Sequence, residues 1–137
     1  MLPVEEFIQG NRKTARKRDE FVTGIIIPHP GMDARGNFEK LGSRAFLVIS
    51  IAMVGVVAEL NESGEIENVN IAVGACSAVS QRLYLLEKEA KGQKLQDLEI
   101  KPLHLENLEP IDDNRGPAAY RNAVIPELVT RAIKGVL

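Results

Sequence analysis

Three features of the sequence predict an α+β domain, a three- to four-stranded, mostly antiparallel sheet with two or three helices on one face. First, residues 46–79 hold two apolar segments around the polar turn Asn61-Glu62-Ser63-Gly64-Glu65, with the densest run of β-branched residues in the chain. Second, Ile125, Leu128, Val129, Ala132 and Ile133 recur at helical spacing near the C-terminus. Third, the strand-like segments come together and the helix-like ones follow, which favours segregated layers over alternating βαβ units. The central hairpin is the expected core. Ile49, Ile51, Val54, Val56, Val57, Val69, Ile71 and Val73 are its expected contributors, each worth roughly 1.5–3 kcal/mol when fully buried.

At 137 residues, 1–137 reads as a single domain able to bury a core without covalent staples. The net charge of −2 gives no global reason to expect nucleic acid or an anionic membrane as partner. Cys76 is the sole cysteine, so an internal disulfide is excluded, and His29 and His104 are too scattered for a Cys/His metal site. The opening MLPVEEFIQG lacks the charged and apolar blocks of a signal peptide. The apolar run of residues 45–58 is too short and too β-branched to span a bilayer as a helix. The expectation is a cytoplasmic protein in a reducing setting.

Taken in order, residues 2–9 read as an extended lead-in anchored by Phe7. Residues 12–18 (RKTARKR) carry five basic residues in seven, a phosphate- or acid-binding patch or simply a solvated loop. No aromatics stand beside it, as direct nucleic-acid recognition would need. Residues 20–28 (EFVTGIIIP) predict a strand stopped at Pro28-His29-Pro30-Gly31. Residues 37–44 (NFEKLGSR) predict a second strand, with Phe38 and Lys40 alternating against Glu39 and Leu41. A loop bracketed by Gly31 and Gly36 would let the two pair as a hairpin.

In the central hairpin the turn suits a type I bend with Gly64 left-handed. The incoming strand, residues 50–60, is apolar on both faces and so expected to be central. The outgoing strand places Val69, Ile71, Val73 and Ala75 on one face and Asn68, Asn70, Ala72 and Gly74 on the other. The small residues Ala72 and Gly74 could admit a close neighbour. Cys76 ends this strand with no neighbouring histidine, which predicts an inert thiol. A helix is expected from Ser80 through Leu83, Leu86 and Ala90, with a Glu87–Lys91 pair and Gly92 as the stop. Residues 94–108 are ambiguous, with a short helix expected near residues 102–107. Asp112 and Asp113 precede the last helix and read as capping or loop residues. That helix should run from Ala118 to about Lys134, kinked or broken at Pro126.

No glycine-rich phosphate loop is present, and neither histidine has a Ser or Cys nucleophile beside it in sequence. Catalysis by this chain alone is not expected. The residues by themselves describe a small domain that supports or binds something else.

Five segments, PVEEFIQGNRKT, DEFVTGIIIP, FEKLGSR, IAVGACSAVSQR and DDNRGPAAYR, occur in an order and at separations that point further. Together the chain resembles the C-terminal domain of the FAD-binding (medium) subunit of molybdenum hydroxylases, the xanthine dehydrogenase and carbon monoxide dehydrogenase flavoproteins. The resemblance implies a domain that closes one side of a flavin site and contacts partner subunits during electron transfer from molybdopterin, via iron–sulfur clusters, to FAD. The FAD itself would be held mainly by an N-terminal domain that these residues do not include. The implied partners are that N-terminal domain and the molybdopterin-binding and iron–sulfur subunits, with a homo-oligomer left open. By alignment Lys40, in FEKLGSR, falls near the flavin ring and could stabilise negative charge there, and Val22, in DEFVTGI, packs beside it. One departure is that eukaryotic members carry acids after the Ser-Arg, where this chain has AFLVI. The alternative reading is a stand-alone binding or interaction module that kept the fold without redox activity.

Overall fold

The structure, a computed structural model, describes residues 1–45 and 48–136. Its centre is the expected hairpin. β4 (Ala52–Leu60) and β5 (Ile66–Gly74) pair antiparallel from Met53↔Gly74 to Leu60↔Ile66. The expected start of this hairpin at Phe46 lies outside the described residues. Asn61 builds the turn, its Oδ1 accepting from the backbone N–H of Ser63 (3.0 Å) and of Glu65 (2.9 Å). Gly64 takes φ +77°, a conformation only glycine adopts without strain. Just beyond the turn, Glu59 pairs with Asn68 and Leu60 with Ile66, so Glu67 bulges out. The bulge places Ile66 and Val69, three apart, on the same buried side.

β3 (Arg35–Leu41) joins the free side of β4, and the two-residue β6 (Gln81–Arg82) joins β5, giving the order β3-β4-β5-β6. α2 (Tyr84–Ala90) and α3 (Ala118–Lys134) cover one face. Ala52, Val54, Val56 and Ala58 of β4 meet Val69, Ile71 and Val73 of β5 there, beneath Leu83, Leu86, Ile125, Val129 and Ala132. Before this sheet come α1 (Val4–Phe7) and a small hairpin of β1 (Ile8–Gly10) and β2 (Lys13–Thr14). Two single 3-10 turns, Leu95–Asp97 and Pro102–Leu105, lie between α2 and α3. The α+β class, the antiparallel sheet and the single helical layer are as the sequence predicts.

Several expectations are corrected. Residues 20–28 form no strand and no hairpin with β3, and Phe21, Val22 and Ile25–Ile27 face solvent. Of the expected core, Ile49 (65 %) and Val57 (37 %) are exposed, because the face of β4 that carries Val57 has no helix over it. The lead-in is a helical turn followed by a hairpin, and Phe7 within it is half-buried. Residues 81–82 pair with β5 before the helix begins, so α2 starts at Tyr84. Glu87 consequently turns to Arg82 (Nε–Oε1 2.6 Å) rather than to Lys91. α3 continues unbroken through Pro126. The face it presents to the sheet is buried on both sides of the proline, at Arg121 and Ile125 before it and Leu128 and Val129 after it. Packing over four turns outweighs one lost backbone hydrogen bond.

Candidate functional site

Pairing register defines the sheet's uncovered face. Phe38 lies opposite Gly55 and Lys40 opposite Met53, while Gly55 and Met53 in turn face Ala72 and Gly74 on β5. Phe38 and Lys40 are exposed, whereas Asn37, Glu39 and Leu41 turn toward the helices. Asn37 confirms the direction, its Nδ2 donating to the Ala132 carbonyl of α3 (3.0 Å). The small residues on this face have a specific occupant. A Cβ on Gly74 would collide with the Met53 side chain, so β5 is cut back where Met53 lies across it.

Next to Lys40 the face deepens into a cleft of about 760 Å³, lined among others by Ile8, Ile49, Met53, Ala72, Val79 and Tyr84. The N-terminal turn forms its far wall, held by a hydrogen bond from the Tyr84 hydroxyl to Glu5, which raises the Tyr84 pKa above its ordinary value. Lys40 Nζ donates to the Val48 carbonyl (2.7 Å), which leaves two ammonium hydrogens for other acceptors. Val22, 55 % exposed, sits on the solvent-facing segment of residues 20–28. Lys40 therefore stands on the uncovered face beside Met53, its cross-strand neighbour, which lines the cleft, while the cation in the lining itself is Arg82 and Val22 is not part of the lining.

The walls of the cleft are tied together by a residue that pattern reading passed over. Arg121 is 1 % exposed on the sheet side of α3. Its Nη1 donates to the carbonyls of Ile51 and Ala75 (2.7 Å to the latter), and its Nη2 pairs with Asp113 Oδ1 (2.7 Å). Ile51 follows the loop carrying Ile49, and Ala75 begins the loop that carries Ser77 and Val79. Ala75 itself takes φ +63°, left-handed for a residue with a Cβ. The signal in sequence is a lone cation inside the apolar stripe of α3, one turn before Ile125, eight residues after Asp113. The Arg115 backbone N–H, with further help from the Arg115 and Arg121 side chains, holds the Asp113 carboxyl below the usual carboxylate range. Asp112 Oδ1 accepts from Ala118 N (2.7 Å), the capping role its position predicts.

Elsewhere the titratable groups are structural. Cys76 is fully buried, and desolvation raises its thiol pKa despite the opposing charge of Arg121, so it stays protonated. His104, also buried, accepts the Lys101 N–H at Nδ1 (3.1 Å) and therefore donates from Nε2 to Glu89 (3.1 Å). Glu87 gathers Ile71 N (2.8 Å) and the Arg82 guanidinium, joining β5, β6 and α2. The basic run of residues 12–18 is exposed apart from a half-buried Ala15, with Lys17 near Glu20. Among the described residues no group of three His, Cys, Asp or Glu side chains could hold a metal ion. No helix among them is long and apolar enough to cross a membrane.

The class these features define is an α+β module with one uncovered sheet face that carries an exposed lysine, an adjoining cleft and a buried arginine bracing the cleft walls. Its family follows from comparison. Residues 38–136 match the model of the CO dehydrogenase flavoprotein C-terminal domain, and the chain belongs to that family. The glyceraldehyde dehydrogenase medium chain of Sulfolobus acidocaldarius is 28% identical over 134 residues, 96% of this chain and 47% of that protein. A crystal structure of Cu,Mo-CO dehydrogenase superposes with TM-score 0.81 at 25% identity, covering 96% of this chain and 46% of that one. A carbon monoxide dehydrogenase from Hydrogenophaga pseudoflava, at 21% identity and TM-score 0.82, covers 98% of this chain and 47% of its own, and shows the shared fold. The chain spans about half the length of these relatives.

Proposed function

We propose that this chain is the C-terminal part of the FAD-binding subunit of a xanthine dehydrogenase-like molybdenum hydroxylase, closing one side of the flavin site. The match over residues 38–136 carries the reading. The residues present suit the ring of a flavin and not its pyrophosphate. They offer one ammonium with two spare donors and an adjoining apolar, small-residue wall, without a glycine-rich anion cradle. When bound, the flavin supplies the electron exchange. Lys40 holds positive charge at the wall and opposes the negative charge of an added electron. Met53 and Ala72 keep water from that side, and Val22 packs beside the ring once its segment is covered. The partners are the FAD-binding N-terminal portion and the molybdopterin-binding and iron–sulfur subunits, in a cytoplasmic oxidoreductase whose electrons pass among those centres.

The test is co-expression with the FAD-binding N-terminal portion. The chain alone should purify colourless, and the complex should show flavin absorbance. Lys40→Met should leave the complex assembled and lower its flavin reduction potential. A flavin-loaded complex whose potential ignores Lys40→Met would remove the role given to Lys40. A chain that binds no such partner, and copurifies only with unrelated proteins, would instead be a stand-alone interaction module.

A further inference from the structure

Residues 21–27 (FVTGIII) hold five large apolar side chains, and all five are exposed: Phe21 80 %, Val22 55 %, Ile25 83 %, Ile26 70 % and Ile27 83 %. Scattered apolar residues on a surface need no explanation, but five within seven positions do. In an extended chain Phe21, Ile25 and Ile27 would share one face, with Val22 and Ile26 on the other. A strand apolar on both faces belongs inside a covered sheet. Yet among the described residues no backbone group of this stretch has a hydrogen-bond partner. Its C-terminal flank, by contrast, is tied to the sheet, where Gly31 N donates to Glu59 Oε1 (3.0 Å) at the end of β4, while its N-terminal flank closes locally, Lys17 N donating to Glu20 Oε2 (2.8 Å). An apolar segment without backbone partners thus leads into an anchor on β4.

We propose that residues 20–28 are a β-strand contributed to a sheet of the flavoprotein's preceding, FAD-binding portion. The occupant follows from two boundaries. The C-terminal-domain match begins at residue 38, so this segment lies outside that module. The Sulfolobus relative nonetheless aligns over 134 residues and is more than twice as long, so the relative carries further chain that can cover it. A second copy of this chain is the poorer occupant. Pairing two such segments makes a two-stranded ribbon with both apolar faces still wet, and such ribbons are marginal in water. Insertion in an existing sheet satisfies the backbone and buries both faces at once.

This inference rests on the partner named above and not on where the flavin sits, so one experiment separates the two. The full chain is co-expressed with the N-terminal half of the Sulfolobus acidocaldarius medium chain, and amide exchange is followed in the chain alone and in the complex. Amides of residues 21–27 should exchange freely in the chain alone and at least 100-fold more slowly in the complex. Ile26→Lys should abolish co-purification, while Ile111→Lys, at an apolar residue 62 % exposed elsewhere, should not. A complex protected at residues 21–27 but lacking flavin supports the strand and counts against the flavin role. A flavin-loaded complex with residues 21–27 unprotected overturns the strand and leaves the flavin role standing. Failure to form any complex, or protection of residues 21–27 in a dimer of the chain alone, also overturns it.

Discussion

Replacing Arg121 with methionine tests the account of the cleft walls most directly. Methionine fills much of the aliphatic volume but leaves the Ile51 and Ala75 carbonyls without their donor and Asp113 without one of its partners. An orphaned buried acceptor costs roughly 1–3 kcal/mol, and breaking a buried charge network about 3–5 kcal/mol. A chain of 137 residues unfolds with an entropy of about 0.29 kcal/mol/K, so such a loss lowers Tm by about 10–17 °C. Urea unfolding followed by circular dichroism gives the free energy directly, with thermal melting as the check. Arg121→Lys should lie between, since an ammonium cannot span both carbonyls and the carboxylate in one plane. The left-handed Ala75 adds a second arm. Ala75→Gly removes roughly 1 kcal/mol of backbone strain but returns much of that to the unfolded chain, so it should be neutral to slightly stabilising. In the Arg121→Met background the carbonyl that fixes Ala75 is free to relax. The two substitutions should then be non-additive by about 0.5–1 kcal/mol. An Arg121→Met chain within 1 kcal/mol of the parent would refute the bracing role.

Other predictions follow from the same contacts. Ile71→Ala, at a fully buried position under the helices, should cost about 2–5 kcal/mol in urea unfolding, whereas Ile49→Ala, at 65 % exposure, should cost far less. Glu87→Ala leaves Ile71 N without its acceptor and the Arg82 guanidinium with Asn70 Oδ1 and the Tyr84 ring in place of its carboxylate, and should destabilise by about 1–3 kcal/mol, with exchange of the Ile71 amide accelerated first. Glu89 is held below its ordinary pKa of 4.5, first by the hydrogen bond from His104 and then by the Lys101 charge, and Asp113 is held below 3.8. For depressed carboxylates the stabilisation is fully present above the ordinary values and is lost as pH falls through the folded ones. The urea midpoint should therefore hold from pH 7 to about pH 5 and decline below that, and Glu89→Gln should flatten the acid decline.

Much of the fold was legible because the central hairpin states its structure twice, in a period-2 pattern from Val69 to Val73 and in a turn whose Asn61 and Gly64 each have one local job. α3 was legible for a similar reason, since its stripe from Ile125 to Ile133 is long enough to survive a proline. What was not legible were features that depend on partners distant in sequence. Whether Gln81 and Arg82 extend a helix or pair with β5 is decided by a free strand edge that appears only once the hairpin has formed. Arg121 reads locally as an ordinary helical cation, and only three acceptors from separate loops show that it is buried for a purpose. Of the two residues singled out by resemblance, Lys40 stands on the uncovered face because alternation along β3 sets its side. Val22 belongs to a segment that forms no strand here and faces solvent.

Residues 21–27 and residues 69–73 carry the same local signal, β-branched side chains in an extended run, and end in opposite environments. Periodicity reports that a surface must be buried, and it is silent on which polypeptide does the burying. Here the apolar surface exceeds what two helices and one sheet face can cover. The excess is not spread at random. Its densest run is at residues 21–27, with more at Phe38 and Val57 on the uncovered sheet face and at Ile49, besides single residues such as Leu85, Leu103 and Ile111 elsewhere. The domain closes over one face of its sheet only, and its densest exposed apolar run is the segment of residues 21–27, the surface that the proposed strand addition would bury. That asymmetry is a physical property of this chain, and it can be tested by amide exchange before any cofactor is added.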